Sequence, residues 1–181
     1  MRIFTPLDEQ TVRNLRCGTN VLINGVIYAA RDAAHKRMVE ALAAGEDLPF
    51  NPQGQVIYFV GPTPAPPGRI IGSAGPTTSG RMDAYSPVLL RRGLRGLIGK
   101  GSLAEQVIKA IQETGSVYFG AIGGAGALLS TCIKKAEVIA YPDLGPEAIR
   151  KLEVEDLPAV VLIDCYGNNL YELGRVKYRA P

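Results

Sequence analysis

The sequence predicts an α/β fold with a mostly parallel central sheet. Short apolar runs such as GQVIYFVG and SVYFG alternate with segments whose apolar residues recur at helical spacing. Glycine-containing turns join the runs to the helices, an arrangement typical of βαβ units. A strand that is apolar throughout is typical of a parallel sheet covered on both sides. We therefore expect these strands to be buried on both faces.

Length and composition indicate one globular domain, which we assign to residues 1–181. The chain is 46% hydrophobic and 20% charged, with a net charge of +3 and no Lys/Arg run. This charge pattern argues against a nucleic-acid surface. No stretch approaches the ~20 apolar residues of a membrane span, and the N-terminus MRIFTPLDEQ is too polar for a secretory signal. We expect a cytoplasmic protein that binds no membrane.

The first third of the chain predicts a hairpin and a helix. TPLDEQTVRNL indicates a short capped helix or turn. Val21–Ile23 and Val26–Ala29 flank the dipeptide NG, which favours a two-residue hairpin turn. Asp32 is a suitable N-cap for the next helix, and Gly45 is placed where a C′ glycine ends one.

The remainder predicts repeated strand, turn and helix units. PTPAPPGRIIGSAGPTTSGRMD is a long loop of a kind that is often functional. A helix follows from Met82 to Arg91, broken near Pro87. LRGLIG predicts a strand whose following helix is capped by Ser102, and VYF leads through the turn GAIGGAG into another helix. The C-terminal segment predicts two strands around a short helix.

The cysteines, Cys17, Cys132 and Cys165, lie far apart without a CxxC pair. This spacing suggests neither a zinc ribbon nor a disulfide framework. Free cysteine behaves as a small hydrophobic residue, so we expect each of them to be buried.

Three cations lie in turns where a parallel sheet presents its ligands. Arg31 and Lys100 follow predicted strands, Arg81 lies in the long loop, and each has Gly, Ala or Ser beside it. Together they suit a small dianion, because guanidinium groups pair bidentately with carboxylates. Each alone is more typical of a surface charge, so the inference depends on their shared setting. Asp32, next to Arg31, is a supporting candidate.

Other local patterns leave several functions open. GAIGGAG fails the dinucleotide fingerprint on spacing, and GKGS is not a Walker loop, so a tight packing turn is favoured over a phosphate site. His35, the only histidine, has either a structural or a site role, since Arg31 lies four residues before it on the same helix face. No Ser-His-Asp set with a recognisable context indicates a hydrolase.

Several segments resemble one known family. AARDAAHKRM, YFVGPTPAPPG and GPTTSGRMDAYSP follow one another as in the β-subunit of the iron–sulfur hydro-lyases, which are the class I fumarases and L-tartrate dehydratases. KGSLAEQV, VYFGAIGGAGALL, the stretch from EVIAYPDLGPEAIRK to VVLID and the following GNN are similar to the same family. The resemblance covers roughly residues 10–172.

The resemblance implies a swivelling β/β/α fold and a hydro-lyase that interconverts fumarate and malate, or dehydrates tartrate. In that family a 4Fe–4S cluster acts as Lewis acid, and its cysteine ligands belong to the α portion. This chain looks like the β portion alone. We therefore expect no metal or cofactor bound by this chain, and a fumarase α-subunit as its partner in a heterodimer or heterotetramer.

The resemblance also assigns roles to residues. Arg31 matches the substrate-carboxylate arginine of the family's RD-x-x-H segment, Arg81 the arginine of TT-x-GR, and Lys100 the lysine of the KG segment. Thr77 matches the threonine proposed as catalytic base, although an alcohol needs a strongly lowered pKa for that role. His35 matches a histidine often present in the family.

Two further choices stay open. GRMD and GAIGGAGALL look more like the fumarase version, so fumarate is favoured over tartrate as substrate. A non-catalytic anion-binding or assembly module would use the same basic turns without turnover. A nucleotide-binding protein is the least favoured alternative.

Overall fold

The computed structural model describes the backbone of residues 1–178 and the side chains of residues 1–176. Within that range no helix is long and apolar enough to cross a bilayer. The strands are β1 Arg2–Thr5, β2 Asn20–Ala29, β3 Val56–Tyr58, β4 Gly96–Gly99, β5 Val117–Gly120, β6 Ile133–Ala140 and β7 Ile149–Ile163. The α-helices are α1 Glu9–Asn14, α2 Asp32–Ala43, α3 Ser86–Arg91, α4 Glu105–Thr114, α5 Gly126–Thr131 and α6 Leu170–Tyr178, and 3-10 helices cover Ser79–Met82 and Pro142–Glu147.

The strands form one sheet in the order β1-β2-β3-β4-β5-β7-β6. Neighbouring strands from β1 to β5 are parallel, whereas β7 is antiparallel to β5, β6 and β2. Because β7 pairs with both β2 and β5, the strands from β2 to β5 close with β7 into a ring. The α/β class is confirmed, and the sheet is partly parallel. The finer assignment to a swivelling β/β/α fold stays a prediction.

Two apolar clusters lie on the two faces of the sheet. Val56 and Tyr58 of β3 belong to one cluster. Ile57 and Phe59, which alternate with them, belong to the other. Successive side chains of a strand point to opposite faces, so β3 is buried on both sides, as its continuous apolar run predicts.

The predicted hairpin around NG is wrong. β2 runs without a turn from Asn20 to Ala29, and its pairing with β7 shifts register between Ile23 and Gly25. Gly25 has φ +103, and a Cβ there would lie 2.8 Å from the Thr5 carbonyl oxygen. The pairing with β1 stays regular through Gly25, so the bulge lies between β2 and β7, and Gly25 permits the close approach of β1. The strands on both sides, β1 and β7, keep this segment extended.

The helix predicted from Asp32 is confirmed, but its cap differs. Arg31 occupies the N-cap position with an extended backbone, and Asp32 lies in the first turn. The Ala33 amide donates to Oε2 of Glu147 at 3.1 Å. The Glu147 carboxylate, 114 residues from Ala33 in the chain, thus caps the helix in place of a neighbouring side chain.

The predicted cap Ser102 is also replaced by a distant carboxylate. α4 has Ala104 at its N-cap, and the amide of Ala104 donates to Oδ2 of Asp83 at 3.1 Å.

The helix expected over residues 82–91 is interrupted between Met82 and Ser86, which is before Pro87 and not at Pro87. Pro87 instead lies in the first turn of α3, where its missing N–H costs no hydrogen bond.

The long loop after β3 is closed at its base. The Thr63 amide donates to the Ser73 carbonyl at 3.0 Å, and the Ser73 amide donates to Oγ1 of Thr63 at 2.8 Å. Residues 63–70 between them are exposed. The expected irregular loop is confirmed and protrudes beside the end of β3.

Candidate functional site

The carboxyl ends of β2, β3 and β4 bring three predicted site residues to one edge of the sheet. Arg31 follows β2, and Lys100 follows β4 directly. The Thr77 amide donates to the Phe59 carbonyl at 2.8 Å, so Thr77 lies at the end of β3 between them. Ligands bind at this edge of α/β sheets, so the positions agree with a site.

Arg31 is held on two sides and is only 21% exposed. Its Nη2 lies 3.2 Å from Oε1 of Glu147 and 3.4 Å from Oδ1 of Asp32. Gly61 lies on another side, where an added Cβ would be 2.8 Å from Cδ of Arg31. Within the described residues the buried Nε of Arg31 has no hydrogen-bond partner. The fold thus orients the guanidinium and leaves one donor unused.

His35 lies buried beneath Arg31. Its Nδ1 is 2.8 Å from the carbonyl oxygen of Arg31, and its ring meets Phe59 edge-on at 5.3 Å. Burial lowers the pKa of His35 from 6.5 to about 4. The imidazole is therefore neutral near pH 7, and Nδ1 carries the proton that it donates to the carbonyl. This arrangement supports the N-cap position of Arg31 rather than a direct contact with ligand.

A chain of buried hydrogen bonds connects the Thr77 segment to Lys100. The Lys100 amide donates to Oγ of Ser79 at 3.1 Å, and Ser79 lies 2.8 Å from the Tyr118 hydroxyl. Tyr118 donates in turn to the Gly101 carbonyl at 2.9 Å. Burial raises the pKa of Tyr118, so its hydroxyl keeps its proton. These hydrogen bonds fix the Thr77 segment relative to the turn that follows β4.

The glycine-rich turns permit close approach of backbone segments. A Cβ on Gly99 would lie 2.0 Å from Oγ of Ser79, and one on Gly126 would lie 2.8 Å from the Gly75 amide. A Cβ on Gly123 would lie 3.7 Å from Nζ of Lys100. The turn GAIGGAG is therefore a packing turn, as expected, and it also lies against the Lys100 ammonium.

Arg81 differs from the other candidates because it is exposed. It lies on the 3-10 helix Ser79–Met82, whose Met82 is buried in the core. Asp83, two residues on, gives its Oδ2 to the α4 amide. No ion pair of Arg81 is present among the described side chains. The structure brings Arg31, Thr77 and Lys100 to one edge, and Arg81 is exposed on the segment that follows Thr77.

Sequence reasoning missed three residues of this edge, which are Ser79, Tyr118 and Glu147. Ser79 lies inside GPTTSGRMD, so its position two residues after Thr77 was a usable signal. Tyr118 is hidden in an apolar strand, and Glu147 lies more than 100 positions from its partner. Only the closed sheet brings those two to the site.

Each of the three cysteine thiols donates to a backbone carbonyl. The Cys17 thiol donates to that of Leu162 near the end of β7, and the Cys132 thiol donates to that of Asp156 in the middle of β7. The Cys165 thiol donates to the Val12 carbonyl, and burial raises the thiol pKa of Cys17 and Cys165. Cys165 is buried as expected, but the other two are only partly buried.

Grooves elsewhere on the surface do not involve these residues. A groove of about 410 Å³ lies between the exposed loop around Pro64 and the segment around Arg150. Another of about 380 Å³ lies beside Phe50. Neither is lined by Arg31, Thr77 or Lys100, so the candidate site is an edge of the sheet rather than either groove.

Comparisons with known proteins agree with the resemblance. The family described as Fumarase C-terminus matches residues 2–174. Fumarate hydratase 2 of Leishmania major is 40% identical over 170 residues, which are 92% of this chain and 30% of that protein. The anaerobic class I fumarate hydratase of Escherichia coli is 42% identical over 156 residues, covering 85% of this chain and 28% of that protein.

A second kind of relative is nearly as short as this chain. The putative L(+)-tartrate dehydratase subunit beta of Methanocaldococcus jannaschii is 37% identical over 175 residues. The match covers 93% of this chain and 90% of that protein. The chain thus spans less than a third of the fumarate hydratases above and corresponds to nearly all of a β-subunit.

Proposed function

The chain belongs to the fumarase C-terminus family, and from this premise we propose that it supplies the dicarboxylate-binding part of a hydro-lyase. The proposed reaction is the reversible hydration of fumarate to L-malate. The named relatives that support it are class I fumarate hydratases. The match to a tartrate dehydratase subunit over 90% of that protein supports the alternative, dehydration of L-tartrate.

The observation that carries the proposal is the state of Arg31. Its guanidinium is mostly buried and oriented by two carboxylates, yet its buried Nε lacks an acceptor among the described residues. A buried donor without a partner costs about 1–3 kcal/mol, and a ligand carboxylate would satisfy it. Lys100 follows a strand two places away, about 10 Å by the usual strand spacing, and can hold a second carboxylate.

Each candidate has a distinct proposed role. Arg31 binds one carboxylate through its guanidinium. Lys100 supplies a point charge to the other, and the exposed Arg81 closes on the substrate when it binds. Thr77, between the first two, moves the proton of the neighbouring carbon. Among the supporting candidates, Asp32 pairs with Arg31 directly, whereas His35 holds its backbone.

The partner is proposed to be an α-subunit, or an α portion of a longer chain, that carries a 4Fe–4S cluster. Such a cluster would supply Lewis-acid assistance to loss of the hydroxyl group. Ile122 and Leu128, beside the turn that touches Lys100, are 72% and 63% exposed, which suits a surface covered by another protein part. A cytoplasmic location and a single domain over residues 1–181 remain predictions.

The experiment compares two adjacent threonines in the complex reconstituted with an α-subunit. Thr77→Ala should lower kcat for malate dehydration by about 10²–10⁴-fold, the usual contribution of a proton-transfer group, while dicarboxylate binding persists. Thr78→Ala is the matched control, because Thr78 is exposed and pairs with Lys100 through its backbone alone. Equal losses in both variants would contradict the role of Thr77.

The same complex distinguishes the alternatives. A higher kcat/KM for L-tartrate than for L-malate would favour the tartrate reaction. Dicarboxylate binding without turnover of either substrate, in a complex containing its cluster, would favour the non-catalytic module. Turnover of fumarate by the isolated chain without iron would contradict the need for a cluster-bearing partner.

A further inference from the structure

Glu147 lies at the candidate site through its contacts with α2. It ends the 3-10 helix Pro142–Glu147, and its side chain is 23% exposed. Oε1 lies 3.2 Å from Nη2 of Arg31, and Oε2 accepts the Ala33 amide at 3.1 Å. One carboxylate thus connects the guanidinium to the first turn of the helix that carries it.

The backbone around Glu147 is itself anchored. Arg150 donates to the carbonyl oxygens of Gly145 at 2.9 Å, Pro146 at 2.9 Å and Ala148 at 3.2 Å. These bonds surround Glu147 in the chain and attach its segment to the start of β7. The carboxylate therefore projects from a braced segment rather than from a mobile loop.

The contacts of Arg31 divide its donors into two groups. Nη2 faces Glu147 and Asp32, of which Glu147 is the nearer and the less exposed. Nη1 and Cδ lie against the backbone of Gly61, and Nε is buried without an acceptor in the described residues. A guanidinium has five donors, so the pair with Glu147 leaves donors for a ligand carboxylate.

We propose that Glu147 is a positioning residue that holds Nη2 of Arg31 and so fixes the orientation of the guanidinium for pairing with the carboxylate of the substrate. The inference rests on the proposed function, because it assumes that Arg31 binds a carboxylate. Glu147 does not compete with the substrate, since its second oxygen is bound to the α2 amide. Misplacement of such a group by about 1 Å costs up to 10²-fold in rate.

Asp143 provides a matched control on the same 3-10 helix. Its carboxylate pairs with Arg37 of α2, with Oδ1 lying 2.9 Å from Nη1, so both acids join the same two elements. Asp143 is 61% exposed and does not contact Arg31. Glu147→Gln keeps an acceptor for the Ala33 amide and removes the charge, whereas Asp143→Asn makes the same chemical change away from the site.

Steady-state kinetics of the complex give the first test. Glu147→Gln should raise KM for L-malate by about tenfold to hundredfold, with kcat changed much less, because ground-state binding is affected. Glu147→Ala should raise KM at least as far, and Asp143→Asn should stay within about twofold of the parent. An unchanged KM in both Glu147 variants overturns the proposal, and so does a lowered KM, which would mean competition.

A nuclear magnetic resonance measurement does not depend on turnover. In the ¹⁵N-labelled full chain, the Nε–H signal of Arg31, identified by its loss in Arg31→Lys, should be protected from exchange with water. Glu147→Gln should speed that exchange by at least tenfold, and Asp143→Asn should not. Exchange that is equal in parent and Glu147→Gln overturns the proposal.

The two readouts separate this inference from the proposed function. If the parent complex converts neither malate nor tartrate, the proposed function fails. In that case the exchange rate of the Arg31 Nε proton with water still reports whether Glu147 positions the side chain. If the parent turns over malate and Glu147→Gln matches it in KM and exchange, only the inference fails.

Discussion

Arg31 and Arg81 carry the same guanidinium group, but the fold treats them differently. Arg31 is at a helix N-cap, 21% exposed, and contacts two carboxylates and the backbone of Gly61. Arg81 is exposed on a 3-10 helix of four residues. The Arg31 side chain loses conformational entropy when the chain folds, whereas the Arg81 side chain loses it when a ligand binds.

The difference indicates that the site is rigid on one side and adaptable on the other. The rigid side, with Arg31, Glu147 and the buried His35, selects a carboxylate in one orientation. The loop that carries Thr77 and Arg81 is held at its base by the hydrogen bonds of Ser79. The Arg81 side chain is exposed there.

The largest effect should come from removing either arginine. In the reconstituted complex, Arg31→Ala and Arg81→Ala should each lower kcat/KM by about 10²–10³-fold, the usual loss for a preorganised charge. Stability should separate them. Arg31→Ala leaves Asp32 and Glu147 without their shared cation and should lower the free energy of unfolding by about 1–3 kcal/mol.

Arg81→Ala should change that free energy by no more than about 0.5 kcal/mol, as for most surface substitutions. Urea denaturation of the chain measures both variants. A stability loss as large for Arg81→Ala as for Arg31→Ala would show that the Arg81 side is also preorganised, which would remove the contrast.

Acid should weaken the rigid side through His35. Its folded-state pKa of about 4 lies below the ordinary value of 6.5, so the unfolded chain binds the proton first. Above pH 6.5 the histidine contributes no pH dependence, and stability falls as pH drops from 6.5 to 4. The total loss is roughly 3 kcal/mol by linkage.

His35→Gln removes the titrating group, so the difference in unfolding free energy between parent and variant should change across that pH range. Other groups titrate equally in both proteins and cancel. A difference that stays constant between pH 7 and 4 would contradict a buried neutral imidazole beneath Arg31.

Gly99→Ala should disturb Ser79, whose hydrogen bonds hold the loop that carries Thr77 and Arg81. The new Cβ would lie 2.0 Å from Oγ of Ser79 and 2.9 Å from Phe59, and overpacking of this kind costs about 1–3 kcal/mol. Gly174→Ala in α6 is the control, because no atom of the described side chains or of other backbone segments lies within 4 Å of an added Cβ. It should be neutral or stabilising by up to about 1 kcal/mol.

Thermal unfolding of the two alanine variants makes the comparison. If Gly99→Ala is as stable as the parent, Ser79 does not pack closely against Gly99 of β4. The loop that carries Arg81 is then not anchored in this way.

The smallest effect contrasts two glycines beside the two arginines. Gly61→Ala would put a Cβ 2.8 Å from Cδ of Arg31, a flexible side chain that must move. KM for malate should rise by about tenfold, because Arg31 is displaced from its preorganised position. A Cβ on Gly80 would be 3.6 Å from Oδ2 of Asp83, an ordinary contact.

Gly80→Ala, next to Arg81, should therefore change KM by less than about threefold, since the exposed side chain adapts. Steady-state kinetics of both variants in the complex measure this. A larger KM change for Gly80→Ala than for Gly61→Ala would reverse the assignment of the rigid side.

Much of the fold was readable from local patterns. The apolar runs at β3, β4 and β5, the glycine turns after them and the helix from Asp32 are all confirmed. The errors at the hairpin and at the two helix caps have one cause, because each depends on residues distant in the chain. The dipeptide NG favours a turn by propensity, but β1 and β7 pair along both sides of that segment and keep it extended.

The candidate site was also predictable from local sequence only in part. Arg31, Arg81 and Lys100 were singled out from their glycine- and alanine-rich turns, and the segment GPTTSGRMD with its neighbours identified the family. Thr77 required the resemblance, since nothing local distinguishes it from Thr78. Its role and those of the cations stay predictions until the variants are measured.

Hydrophobic periodicity and turn chemistry operate between neighbours in the chain, and they predicted the α/β class and most elements. The family was identified by the resemblance of segments such as GPTTSGRMD. Which groups meet at the strand ends depended on the closed sheet. Both caps expected from Asp32 and Ser102 are instead supplied by Glu147 and Asp83, across 114 and 21 residues. A free helix amide donates to any carboxylate that packing brings to it, and local sequence does not contain that information.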